Sequence, residues 1–304
     1  MKVKIWKITT KILICIILLF VSFNLIGFLY ALITPKIDIK SANAFSVYDN
    51  KEKLVFQGNG NDSWVSLKDM NKYIINATIS TEDKNFYKHL GFDYPRIAKA
   101  MLVNITSHNI TQGASSITQQ YAKNLFLDFE KSWTRKWKEM WLTYKLEAHY
   151  SKDEILEGYL NTINYGHGMY GIKNAAKYYF NKEVKNLTLS EASTLAGIPN
   201  SPSNYSPIDN YELSKKRQKI VLERMYNNGY ISEKEKNTAN KEKLILKNEE
   251  FGKDLTSLIY YNDAVMNELN TLVGIPKSYL DTGNIKIYTT LDTEALISLE
   301  TGIK

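Results

Sequence analysis

The pair Glu82-Asp83 stands in the stretch STEDKNFYKHLGFD, just after the apolar Ile74, Ile75 and Ile79, with Phe86, Tyr87, His89 and Gly91 close behind. A carboxylate among aromatic groups suits general acid or base work near neutral pH. Taken alone, an adjacent Glu and Asp are an ordinary surface feature. A second segment, Gly113-Ala-Ser-Ser-Ile-Thr-Gln-Gln120 followed by Lys123-Asn124, gathers hydroxyls and amides behind a glycine. Ser115, Thr118, Gln119 and Gln120 could hold sugar hydroxyls or phosphate oxygens by neutral hydrogen bonds. The plainer reading is a polar loop capping a helix that starts near Ser116. A third group is Arg135-Lys136 with Glu139. Arg135 and Glu139 lie four apart and share a helix face. They form either an exposed ion pair of little energetic weight or a cation–carboxylate cluster able to hold a diphosphate. A fourth runs from Lys152 to Asn161, with Asn164-Tyr-Gly-His-Gly-Met-Tyr-Gly171 after it. Its three glycines suit a tight loop near a ligand or another backbone.

Other chemistries are missing. The four histidines, His89, His108, His149 and His167, show no metal-ligand spacing, and the single cysteine, Cys15, excludes an internal disulfide and a cysteine-based metal site. There is no phosphate loop of the Gly-x-x-x-x-Gly-Lys type, no Gly-x-Ser-x-Gly elbow and no Ser-x-x-Lys.

These residues need elements to position them. Periodicity predicts helices over Pro95 to Thr106, Lys131 to Tyr150, Lys152 to Asn161, Leu189 to Ala196 and Leu213 to Tyr226. The stripe Trp133, Trp137, Met140, Trp141, Tyr144 and Ala148 reads as core. Phe45, Val47, Leu54 and Phe56 about Asp49-Asn50-Lys51 predict a hairpin, and 284–292 reads as a strand. The expected fold is therefore mainly α with a small β element before and after. Its expected divisions are a tail at 1–11, an anchor at 12–33, a linker and hairpin at 34–65, a helical domain at 66–245 and a C-terminal tail at 246–304.

The anchor rests on 22 uncharged residues from Ile12 to Ile33. A helix that long extends about 33 Å, enough for a hydrocarbon layer of about 30 Å. Lys2, Lys4, Lys7 and Lys11 precede it, placing the N-terminus on the cytoplasmic side and the rest outside. An Ala-x-Ala at Ala42 to Ala44 leaves cleavage open. The formal charge of +7 includes those four lysines, leaving about +3 for everything else. No dense basic stripe marks a nucleic-acid partner. A mild positive charge outside a membrane suits anionic lipid or phosphate.

In this order, the four segments resemble glycosyltransferase family 51, the peptidoglycan glycosyltransferases. That family comprises the N-terminal half of bifunctional class A penicillin-binding proteins and the monofunctional glycosyltransferases. Its first motif is met by Glu82, Asp83, Phe86, His89 and Gly91, and its second at Gly113, Ser115, Thr118, Gln119 and Gln120. The third is Arg135, Lys136 and Glu139, and the fourth is complete from Lys152 to Asn161. Ala114 and Ser116 depart from the usual glycine and threonine. Lys131 stands where many members carry an arginine, keeping the charge but losing the bidentate fork.

The resemblance implies a lysozyme-like, two-lobed domain that polymerises lipid II into β-1,4 glycan and releases undecaprenyl diphosphate with inversion. Glu82 would be the general base. Lys123, Asn124, Lys131, Arg135 and Lys136 would surround the diphosphate, with Glu139 orienting them or binding Mg²⁺ or Mn²⁺. It further implies membrane lipid as a partner, with cell-wall synthesis or division proteins as further candidates. The tail resembles the linker to a transpeptidase domain, whose Ser-x-x-Lys is missing here, so no penicillin binding is expected. A lytic glycan-cleaving enzyme and an inactive lipid II-binding scaffold remain the rival readings.

Overall fold

The computed structural model describes residues 2–37, 39, 45–57, 64–107, 113–125, 133–167, 169–247 and 285–302, with five positions between 261 and 269. Among these, α1 (Lys2–Ile33) leads into the strands β1 (Phe45–Tyr48) and β2 (Leu54–Gln57). A run of helices follows: α2 (Lys72–Glu82), α3 (Tyr94–Ser107), α4 (Ile117–Leu125), α5 (Trp133–His149), α6 (Lys152–Thr162) and α7 (Ile172–Phe180). Then come α8 (Leu189–Gly197), the short α9 (Pro202–Tyr205), α10 (Tyr211–Asn227) and α11 (Glu233–Lys241). Strand β3 (Ile285–Tyr288) and helix α12 (Thr293–Gly302) close the chain.

The mainly helical expectation holds, and the five periodic segments are all helices. The two β elements are not separate, however. β1 pairs antiparallel with β2 and parallel with β3, so one three-stranded sheet of order β2-β1-β3 joins both ends of the described chain. Asp49 organises this joint. Its Oδ1 accepts the backbone N–H of Lys51 and Lys53, closing the hairpin turn, and its Oδ2 accepts the Thr293 hydroxyl at the start of α12.

Helix α8 forms the centre of the helical domain, and every residue from Leu189 to Gly197 is buried. Its composition of Ala, Ser, Thr and Gly lets α2 and α10 approach closely. Gln218 of α10 donates to the Ser190 carbonyl, and Arg217 Nε donates to the Gly197 carbonyl at 3.3 Å. A Cβ on Gly197 would lie 2.9 Å from Arg217 Cγ. Thr188 caps α8 in a reciprocal box with Glu191, which fixes where the helix starts. The fourth motif is scaffold of the same kind. Glu157 accepts Trp64 Nε1 and the Leu67 N–H, while Asn161 brackets Val65 from both sides, so the chain entering the domain is stitched to α6.

Met140, Trp141, Tyr144 and Ala148 of the α5 stripe lie outside this core, and the Trp133 side chain lies outside the described residues. The stripe meets α1, with Phe23 edge-on to Trp137 and Tyr30 against Trp141. Trp137 itself is exposed, contrary to the expectation of core burial. A separate apolar cluster of Ala31, Phe92 and Tyr144 sits at this junction. The first helix covers the predicted anchor, yet over the residues whose side chains are described no helix is long and apolar enough to cross a membrane.

Candidate active site

Helix α2 ends on Glu82, and the last carbonyls of a helix have no partner within it. Here two guanidinium groups supply partners. Arg224 of α10 donates to the Thr81 carbonyl at 2.7 Å, and Arg96 of α3 donates to the Glu82 carbonyl. The end of α2 is thus held by cations that also stand beside the Glu82 side chain. That carboxylate is buried and accepts one neutral hydrogen bond, from Gln120 Nε2 at 2.8 Å. The Gln120 carbonyl in turn accepts from the phenol of Tyr159, a fully buried residue of α6, at 3.2 Å.

Asp83 does different work. It is almost fully buried, and its carboxylate lies 2.9 Å from His89 Nε2 and accepts the Ile117 N–H at the start of α4 at 3.1 Å. A negative group at a helix N-terminus is favoured by the helix dipole. The same terminus carries a capping box: Ser116 accepts from the Gln119 N–H, and the Gln119 side chain accepts from the Ser116 N–H. Ser116 also donates to the Gly91 carbonyl. The first and second motifs are therefore locked to one another. Gly91 lies at φ +84°, and an added Cβ would lie 2.6 Å from Thr143 Cγ2. Only glycine serves at that position.

A second buried node binds the other motifs. Glu147 Oε1 accepts from Thr118 at 2.5 Å and from Lys152 at 2.7 Å, and the Lys152 ammonium sits 4.5 Å from the centre of the Phe86 ring. Glu147 carries no sequence signal that singles it out.

A cleft of about 940 Å³ opens beside Glu82. Of the predicted residues, Glu82, Asp83, Gly113, Ser115, Gln119, Gln120, Lys123 and Glu139 line it. Phe86, His89, Thr118, Asn124 and Lys136 do not, and the first three are held in the networks just described. Those three brace the site from behind. Lys131 lies outside the described residues, and Arg135 lies in α5 without a described side chain. Glu139 is buried and ion-paired to the exposed Lys136 at 2.6 Å.

The cleft also holds groups that the motifs did not bring forward. Lys84, Arg96, Lys99, Arg217 and Arg224 line it. With Lys123 they make six cations against the four carboxylates Glu82, Asp83, Asp93 and Glu139, a balance that favours an anionic ligand. Burial and the neighbouring Arg217 and Arg96 push the Arg224 guanidinium below its ordinary value, with Glu82 opposing. Arg224 follows Arg217 by seven residues on α10, and that spacing, two helical turns, was the available signal.

The cleft carboxylate expected to take a metal ion is Glu139. Glu139 already holds a lysine, and it does not belong to the one cluster of three or more metal-type ligands among the described residues, Asp83, His89 and Asp93. Both carboxylates of that cluster are engaged by backbone N–H groups.

The profile of the transglycosylase family matches residues 50–226. The chain belongs to that family. It is 48% identical to penicillin-binding protein 2D of Bacillus subtilis (strain 168) over 231 residues, covering 75% of this chain and 33% of that protein. It is 41% identical to penicillin-binding protein 1F of the same organism over 244 residues, covering 78% of this chain and 34% of that protein. It is 41% identical to penicillin-binding protein 1A of Neisseria lactamica over 251 residues, covering 82% and 31%. The crystal structure of penicillin-binding protein 1A from Haemophilus influenzae aligns with a TM-score of 0.42 at 23% identity, over 86% of this chain and 28% of that one. The chain spans about a third of the length of the curated relatives it matches.

Proposed function

We propose that this transglycosylase domain polymerises lipid II, a disaccharide-peptide carried on undecaprenyl diphosphate, into β-1,4 glycan. The observation that carries the reading is the Glu82 carboxylate, buried at the rim of a cationic cleft and held by a neutral amide in place of a salt bridge.

In the proposed step, the 4-hydroxyl oxygen of the acceptor sugar attacks the anomeric carbon of the growing strand. Its proton passes to Glu82, the bond from that carbon to the diphosphate oxygen breaks, and the electron pair leaves with undecaprenyl diphosphate. The α-linked donor gives a β-linked product. General base catalysis of this kind contributes about 10²–10⁴-fold. Negative charge grows on the leaving diphosphate, where fixed cations are most effective. Lys123, Lys131, Arg135 and Lys136 are the proposed partners, joined by the cleft cations Arg96 and Lys99. Mg²⁺ or Mn²⁺, if bound, would be held by Glu139 and would offset charge on the leaving diphosphate.

We read the domain as lysozyme-like, its two lobes flanking the cleft, and residues 12–33 as a single-pass anchor with the N-terminus in the cytoplasm. The described part of α1 exposes Leu18, Leu19, Ile26 and Ile33, and α3 exposes Met101, Leu102 and Ile105. Apolar faces on both helices suit a domain seated on the membrane that holds its substrate's lipid tail. Cell-wall synthesis or division proteins are its proposed protein partners.

Labelled lipid II incubated with the full chain tests the reading. Polymer from the wild type and none from Glu82→Gln is the expected result. Shortening of purified glycan strands without polymer would replace it with a lytic function. Binding of lipid II without either reaction would replace it with a scaffold.

A further inference from the structure

Asn24 is an amide in the middle of the uncharged run of α1. With Gly27, Phe28 and Ala31 it falls at i, i+3, i+4 and i+7, one face of a helix. This face turns toward the domain, whereas Leu25, Ile26, Leu29 and Leu32 beside it are exposed. Small residues on it permit close approach. A Cβ on Gly27 would lie 3.0 Å from the Tyr144 ring, and Ala31 is fully buried, its carbonyl 2.9 Å from His149 Nε2.

At the upper end of the face, Asn24 Oδ1 accepts two hydrogen bonds, from the Tyr94 and Tyr144 hydroxyls, both at 2.5 Å. The two phenols belong to different helices. Tyr94 opens α3, two residues before Arg96, which holds the Glu82 carbonyl. Tyr144 lies on α5, the helix that carries Glu139 into the cleft and Glu147 to Thr118. Phe92 fills the space between them, its ring 6.0 Å from that of Tyr94 and 5.3 Å from that of Tyr144. One side-chain oxygen thus ties the helix beside the proposed base to the helix beside the proposed diphosphate site.

We propose that Asn24 is a positioning residue. By accepting from Tyr94 and Tyr144 it makes the N-terminal helix a splint that sets the separation of α3 and α5 across the cleft. Its effect on turnover rests on the glycosyltransferase reading above; its effect on helix separation does not. The bond to Tyr144 is partly buried and the bond to Tyr94 is exposed, so removing the shared acceptor releases both helices at once.

The test uses the full chain in lipid vesicles. Asn24→Leu removes the acceptor and leaves an apolar helix that anchors as before. Spin labels at Ile105→Cys on α3 and Lys138→Cys on α5, in a Cys15→Ser background, report the separation. The expected result is a narrow distance distribution that broadens in Asn24→Leu and in Tyr94→Phe/Tyr144→Phe. An unchanged distribution overturns the proposal, whatever the activity. With lipid II as substrate, kcat should fall about tenfold in Asn24→Leu, since small misplacements of catalytic groups are costly, while KM stays within twofold. The combined Asn24→Leu/Tyr94→Phe/Tyr144→Phe protein should fall no further, because all three changes break one unit. Additive falls, or a kcat for Asn24→Leu within twofold of wild type, overturn it. A wild type that forms no polymer sinks the glycosyltransferase reading instead, and the label distances then decide the splint alone.

Discussion

Of the four buried carboxylates that line the cleft, Glu82 and Glu139 stand on walls built in different ways. Glu82 ends a helix whose last carbonyls are capped by arginines, and its own side chain accepts a hydrogen bond from an amide. Glu139 lies inside a helix and carries a lysine at 2.6 Å. The proposed base thus stands at a helix end beside an amide, and the carboxylate proposed to organise charge stands inside a helix beside a lysine.

The sharpest break of that contrast is a pair of isosteric changes. Glu82→Gln should reduce polymerisation of lipid II by about 10²–10⁴-fold, and Glu139→Gln by clearly less, with melting curves showing both proteins folded. Equal losses would erase the distinction between the walls. Gln120→Ala probes the Glu82 wall one residue away. It removes the donor that orients Glu82, and kcat should fall by about tenfold with KM little changed. Lys136→Ala probes the other wall. The lysine is largely exposed, so thermal stability should change by less than about 1 kcal/mol, while turnover falls through weaker binding of the diphosphate.

The two motif glycines extend the comparison to stability. Gly91→Ala forces a side chain into φ +84° and against Thr143, and should cost about 1–3 kcal/mol in denaturant titration. Gly113→Ala meets nothing within 4 Å and should be close to neutral. The smallest effect lies away from the cleft, at His167. It is buried at φ +51° between Ser206 and Asp209, and burial pushes its pKa below 6.5, with Asp209 opposing. The unfolded chain therefore binds this proton more readily, and stability drops as pH falls through 6.5 toward the folded value. In His167→Asn, which tolerates the same backbone, the loss of melting temperature from pH 7.5 to 5.5 should shrink by about 1–3 °C.

Much of this was legible from residue order alone. Four motifs in sequence named Glu82, Gln120, Lys123 and Glu139, and all four line one cleft. The helices carrying them followed from apolar spacing, and Ser116 was readable as an N-cap because its own hydroxyl and the glutamine three residues later make the box. Local interactions of this kind lie within one or two turns, so a linear reading reaches them.

Contacts between distant segments were beyond that reach. Phe86 and His89 belong to the same motif as Glu82, and Thr118 to the same motif as Gln120, yet whether a motif residue faces the ligand or braces the wall depends on the neighbour behind it: Lys152, Asp83 and Glu147 here. The pairing of Phe45 with Ile285, which turns two stray strands into one sheet, depends on the path of everything between. The same holds for Arg96 and Arg224 closing on the end of α2. Residue type and short spacing determined which chemistry this chain is equipped for. Only the packing of α8 and α10 on α2, and of α4 on α5, decided which of those groups share a cleft, because helix-to-helix geometry is set by burial and shape over the whole domain.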